Sequence, residues 1–206
     1  MNKTPKYAIF TVGRTGSQLV CRNLSKYYNC KQFAPGHNMT SGVLHSHYAL
    51  WEPPDPEWIC VLSKRKNDFE GMCSNYIASQ TREYVKYTNL EVVPFEIEYE
   101  SFVTNFEHRR LFYQAVDQAK FSKTITVWYE ELITDPGYLF GQLGISQETD
   151  LTVLAKSTYD YKKIIKNWEQ ALEWYTQLAA TRQFTQDDLE TWKTTARKHS
   201  GDHIKS

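Results

Sequence analysis

The 206-residue chain reads as an α/β protein with a central parallel β-sheet flanked by helices. Three observations predict it. Residues 7 to 24 run from an apolar, β-forming stretch (Tyr7 to Val12) through a turn bracketed by Gly13 and Gly16 into a segment starting at Ser17. That segment carries Leu19, Val20, Cys21 and Leu24 at helical spacing. A second core strand, Trp58 to Leu62, runs into Ser63, Lys64, Arg65 and Lys66 and then into a helix capped by Asn67 or Asp68. A third, Lys123 to Trp128, leads into Tyr129, Glu130 and Glu131 and a short helix ending at Gly144.

The remaining elements follow from the same signals. Tyr27 to Phe33 reads as a short second strand, and residues 34–42, with Pro35, Gly36 and Gly42, read as a loop. Val43 to Leu50 is a strand whose alternation sets His45 and His47 on one face and Ser46 on the other. The helix after Asn67 extends to about Gln80, with Phe69, Met72, Cys73, Tyr76 and Ile77 as its apolar stripe and Ser74 on its length. Val92 to Ile97 is extended around Pro94. Ser101 to Ala119 is helical through Phe102, Phe106, Phe112 and Val116. Beyond it, residues 159–166 are basic and aromatic, 167–178 amphipathic, and Thr185 opens a last helix that Ser200, Gly201 and Asp202 end. The chain is expected to form one domain over 1–206, with a core of about 7–168 and a helical extension over 169–206.

Composition narrows the function classes. Lys plus Arg and Asp plus Glu balance at 24 each, so no general attraction to nucleic acid or anionic membrane is expected, and any anion site must be local. No apolar stretch approaches bilayer length and Met1 to Lys6 has no leader pattern, so a cytoplasmic protein without a membrane span is expected. Cys21, Cys30, Cys60 and Cys73 are scattered with no CxxC pair, which fits reduced core thiols better than a disulfide or zinc framework. The 15% aromatic content, with 14 Tyr and 6 Trp, is core material first, and some of it suits an acceptor cleft.

The turn Gly13-Arg14-Thr15-Gly16-Ser17 carries the chemistry. A glycine turn between strand and helix aims backbone N–H groups and the positive end of a helix dipole at one point, where an anion can bind. Arg14, Thr15 and Ser17 add side-chain donors. A nucleotide-hydrolysing P-loop would need Gly-Lys-Ser/Thr at the end of the turn, and that lysine is missing. The cations at 64–66 supply a second basic strand end. The His45 and His47 pair could hold a metal, but no cysteine or acidic cluster accompanies it.

Taken in order, these features resemble sulfotransferases that use 3′-phosphoadenosine-5′-phosphosulfate (PAPS). Residues 13–17 are similar to that family's 5′-phosphosulfate loop, with Arg14 at its basic position, while Gln18 departs from the usual Ser or Thr. His45-Ser46-His47 resembles the Lys-Thr-His of the cytosolic members, whose histidine is the catalytic base, although His45 replaces the lysine. Val61 to Tyr76 resembles the segment that holds the 3′-phosphate, which implies Arg65 with Ser74, or Lys64 or Lys66 in place of Arg65. Trp128 to Pro136 looks like the family's Tyr-Glu stretch, placing Tyr129 near the adenosine phosphate. Tyr161 to Trp168 resembles the closing basic segment, with Lys163 over the nucleotide.

The resemblance implies a P-loop-NTPase-like three-layer fold and transfer of a sulfuryl group from PAPS, without a metal, to a small-molecule, sugar or phenolic acceptor. The implied nucleotide-binding residues are Gly13, Arg14, Thr15, Gly16, Ser17, Gln18, Arg65, Ser74, Tyr129 and Lys163. Arg14 and His47 are the implied catalytic residues, with His37 as the rival base. A small nucleotide kinase or a non-catalytic nucleotide-binding module stands as the alternative.

Overall fold

The computed structural model describes residues 6–30, 32–33, 42–46, 57–81, 92–135, 137–146 and 159–202. Five strands form one sheet: β1 (Lys6–Phe10), β2 (Gln32–Phe33), β3 (Gly42–Ser46), β4 (Ile59–Lys64) and β5 (Lys123–Trp128). Their order is β2-β3-β1-β4-β5 and every neighbouring pair is parallel. β1 therefore lies in the middle, with its hydrophobic side chains covered on both faces. Tyr7, Ala8, Ile9 and Phe10 are all buried to 3% exposure or less.

Alternation along β1 separates the two faces. Tyr7 and Ile9 face α1 (Ser17–Tyr28), α4 (Tyr129–Thr134) and α5 (Tyr138–Leu143), packing with Leu19, Val20, Leu24, Leu132 and Phe140. Ala8 and Phe10 face α3 (Tyr99–Gln118) and α8 (Gln186–Asp202) through Phe112, Val116 and Leu189. Helices thus cover both faces of the sheet. A third cluster joins α2 (Asp68–Thr81), α3, α6 (Tyr161–Ile164) and α7 (Trp168–Thr181), with Phe69, Met72, Phe102, Phe106 and Ile165 fully or nearly buried. Each of those phenylalanines contributes about 1.5–3 kcal/mol by leaving water.

Three departures from the sequence reading have physical causes. Tyr27 and Tyr28 belong to α1 and not to a strand. Their rings pack from the helix, Tyr28 against Tyr7 with the two hydroxyls 3.0 Å apart and Tyr27 against Phe140, and this tertiary packing overrides aromatic β-propensity. Asn29, left-handed at φ 48°, ends the helix: its N–H goes to the Lys26 carbonyl and the following Cys30 N–H to the Ser25 carbonyl. The stretch Val92 to Ile97 forms no sheet strand. Phe95 exchanges backbone hydrogen bonds with Ile164 and Lys166, and Asn167 both accepts from the Ile97 N–H and donates to its carbonyl at 2.9 Å. Residues 129–134, read only as a connection, form the helix α4 directly after β5.

The last two helices are integral to the packing. Leu189 is fully buried against the sheet cluster, Ala171 is fully buried in the third cluster, and Arg182 pairs with Glu107 of α3 at 2.7 Å. Thr185 and Asp188 cap α8 reciprocally. Those hydrogen bonds hold the Asp188 carboxyl below its ordinary range. Cys21, Cys60 and Cys73 are buried, and burial pushes the Cys60 and Cys73 thiols up to about 12, which keeps them protonated and inert. No described helix is long and apolar enough to cross a membrane.

Candidate functional site

The site grows from the carboxyl end of β1. Thr11 leaves the strand fully buried, its hydroxyl bonded to the Thr15 hydroxyl and accepting the Gly13 N–H at 3.2 Å. Gly13, Arg14 and Gly16 then take left-handed backbone conformations at φ 85°, 57° and 79°. Three such residues in four fold the turn tightly under the start of α1, a concavity of the kind that presents successive N–H groups. The two glycines adopt it without steric cost, whereas Arg14 carries strain at a non-glycine residue. Gly16 caps α1 with no side chain to satisfy the first amides, which therefore point out of the helix end without an intrahelical acceptor.

Three further strand ends converge on this turn. From β3, His45 places Nε2 2.9 Å from Ser17 Oγ and Nδ1 3.4 Å from Gln18 Nε2. From β4, Ser63 donates to the Thr15 carbonyl at 2.6 Å, fixing the turn from beneath. From α2, which follows β4, Ser74 Oγ accepts the Arg14 Nε–H at 3.0 Å. From the end of β5, Tyr129 packs under Gly16: a Cβ there would stand 3.1 Å from Tyr129 Cδ2. The absence of a side chain at Gly16 is thus required twice, by backbone conformation and by this approach.

Arg65 links the β4 and β5 ends. Its guanidinium carbon lies 4.7 Å from the centroid of the Tyr129 ring, a cation–π arrangement, and its side chain is 7% exposed. Glu70 lies 3.4 Å from one terminal nitrogen. Glu130 lies 3.6 Å from Nε, close enough for an ion pair but too far for a hydrogen bond, so Nε is a buried donor without an acceptor. Beneath it, Arg109 of α3 is 1% exposed and bonds Asp68, the first residue of α2. Gly71 leaves room for both arginines, since a Cβ there would meet Arg109 Nη2 at 2.9 Å and Arg65 Cδ at 3.4 Å. Lys64 rests over the Tyr113 ring at 4.9 Å, and Lys66 pairs with Glu131.

The structure thus brings together Gly13, Arg14, Gly16, Ser17, Gln18, Arg65, Ser74 and Tyr129 from among the sequence-predicted residues. Thr15 turns inward, fully buried, and spends its hydroxyl on Thr11 as a brace of the turn. Lys163 stands apart: it is 83% exposed and pairs with Asp160 at 3.2 Å on α6. His47 and His37, the two candidate bases, lie outside the described residues. Sequence reasoning missed the roles of His45, Ser63 and Arg109. Only His45 had a usable signal, its place in the His45-Ser46-His47 stretch, and the structure sets it near the end of β3, opposite Ile9 of β1. Among the described residues no group of three or more His, Cys, Asp and Glu could hold a metal ion. In comparison with known proteins, no family model, curated protein or solved structure matches the chain.

Proposed function

We propose that this protein is a PAPS-dependent sulfotransferase with a P-loop-like nucleotide site, acting on a hydroxyl or amine acceptor. The observation that carries the reading is the Arg14 to Ser74 hydrogen bond, which joins the turn after β1 to the helix after β4. It makes neighbours of two candidate anion sites that the chain keeps far apart. The residues fit a donor with two charged ends. The left-handed turn and the open amides of α1 suit a phosphosulfate, and the buried Arg65 Nε, which has no hydrogen-bond acceptor, suits a further phosphate.

When bound, the donor supplies an activated sulfuryl group on a phosphate leaving group. Each residue then has a definite task. Ser17 and the amides of the turn hold the phosphate, and Arg14 opposes the charge that grows on it, an interaction that strengthens as the bond breaks. Arg65 and Ser74 hold the distal phosphate, and Tyr129 fixes Arg65 from its ring face. His47 takes the acceptor's proton, with His37 as the rival, since a histidine near its ordinary pKa of about 6.5 is mostly neutral at pH 7 and above.

Two binding measurements and one activity measurement test the proposal. Adenosine 3′,5′-bisphosphate raises the melting temperature and binds in calorimetry with chelator present, and sulfate passes from PAPS to an acceptor in a screen. Stabilisation by ATP with magnesium, and not by the bisphosphate, would point to a nucleotide kinase. Bisphosphate binding without any transfer would point to a non-catalytic module.

A further inference from the structure

His45 is the one described histidine that touches the turn, and it touches it with both ring nitrogens. Nε2 stands 2.9 Å from Ser17 Oγ and Nδ1 stands 3.4 Å from Gln18 Nε2, so a single imidazole reaches the first two residues of α1. The ring is half-buried, and its backbone is fixed by the register that sets His45 opposite Ile9 of β1. We propose that His45 is a positioning residue for the anion site, which takes up a proton when an anion binds and thereby couples the affinity of the turn to pH. This inference rests on the proposed reading of the turn as a phosphosulfate site.

The tautomer follows from the partners. An amide NH2 only donates, so Gln18 Nε2 facing Nδ1 makes Nδ1 the acceptor and puts the ring proton on Nε2. That N–H donates to Ser17 Oγ, which leaves the Ser17 hydroxyl proton free to turn toward an anion at the helix start. Protonation of the ring changes two things. Nδ1 becomes a donor, so Gln18 must present its amide oxygen instead, and a full positive charge appears beside the amino end of α1.

Without an anion that charge is disfavoured, because the α1 dipole is positive at this end, and among the described residues the charged groups carried by β1, the turn and α1 are cations: Lys6, Arg14, Arg22 and Lys26. Lys6 is itself paired with Glu57. A bound sulfate or phosphate reverses the balance and favours the imidazolium. Anion binding and proton uptake therefore strengthen one another, and the coupling is reciprocal.

Calorimetry with adenosine 5′-phosphosulfate tests this from pH 5.5 to 8. That ligand has no group titrating in the range, unlike a bisphosphate, whose phosphates titrate near 6. The wild-type protein should bind roughly tenfold more tightly at pH 5.5 than at 7.5, with heats that vary with buffer as protons are taken up. His45→Gln, matched in melting temperature, should bind with the pH dependence and the proton uptake both lost. His45→Lys should bind tightly at every pH. An equal pH dependence in wild type and His45→Gln would overturn the role of His45 while leaving the nucleotide site intact. No binding by either protein at any pH, with folding intact, would overturn the phosphosulfate reading itself and this inference with it.

Discussion

Arg14 and Ser74, 60 residues apart in the chain, are joined by a hydrogen bond of 3.0 Å from the guanidinium Nε to the serine hydroxyl. Arg14 pays for its place with a left-handed backbone at φ 57°, so its direction depends on what receives its side chain. Ser74→Ala, which removes that acceptor, should weaken adenosine 3′,5′-bisphosphate binding about threefold to tenfold. Arg14→Ala should lower the single-turnover rate about a hundredfold, and the double variant should show a coupling of about 0.5–1.5 kcal/mol in binding. Additive effects would mean that the bond is not used when ligand is bound.

Gly13 and Gly16 give a controlled comparison, because both have left-handed backbones but only one is crowded. A Cβ at Gly13 would find Asn75 Oδ1 at an ordinary 3.6 Å, whereas one at Gly16 would find the Tyr129 ring at 3.1 Å. Gly13→Ala should cost about 1–2 kcal/mol in urea denaturation, the strain of a left-handed alanine alone. Gly16→Ala should cost clearly more, since Tyr129 must also move, and Tyr129 carries Arg65 on its face. Equal losses would show that Tyr129 gives way freely.

Much of this was legible in the sequence, and what was not has a common cause. The glycine spacing at 13 and 16, the apolar run of β1 and the cations after β4 are local signals, and local signals sufficed to predict the turn and the elements around it. The bonds that assemble the site are not local. Arg14 with Ser74, Ser17 with His45 and Thr15 with Ser63 span 28 to 60 residues, and nothing in the spacing of either partner names the other. Thr15 shows the limit from the other side: its place in the turn suggested a ligand-facing hydroxyl, and burial against Thr11 turned it inward. Tyr27 and Tyr28 were misread as strand because helix packing against Tyr7 and Phe140 outweighs intrinsic preference.

Arg109 was invisible for the same reason, and it offers a stability test independent of any ligand. Its side chain is 1% exposed and its partner Asp68 is 18% exposed at the start of α2, so the pair anchors the helix that carries Ser74. Arg109→Met should destabilise the protein by about 3 kcal/mol, because the carboxylate is left half-enclosed without its partner. Arg109→Met with Asp68→Leu should recover most of that loss, since replacing both charges removes the desolvation cost along with the attraction. A double variant no more stable than the single one would place the cost in packing around Gly71 instead.

His108 makes stability depend on pH in a stated direction. It lies on α3 and accepts a hydrogen bond at Nδ1 from the Trp192 indole N–H of α8 at 3.0 Å, a bond that requires Nδ1 to carry no proton. Burial and, less strongly, the neighbouring Arg109 hold its pKa below the ordinary histidine value. The unfolded chain, whose histidine titrates near 6.5, therefore binds the extra proton first as pH falls. Between 6.5 and the depressed folded value the unfolded state gains protons that the folded state does not, so stability declines as pH drops through that window. His108→Gln keeps an acceptor for Trp192 and removes the titration. Urea midpoints of wild type should fall from pH 7.5 to 5, whereas those of His108→Gln should fall distinctly less over the same range. If the two curves run parallel, the acid sensitivity belongs to other groups and α8 is not held through a neutral His108.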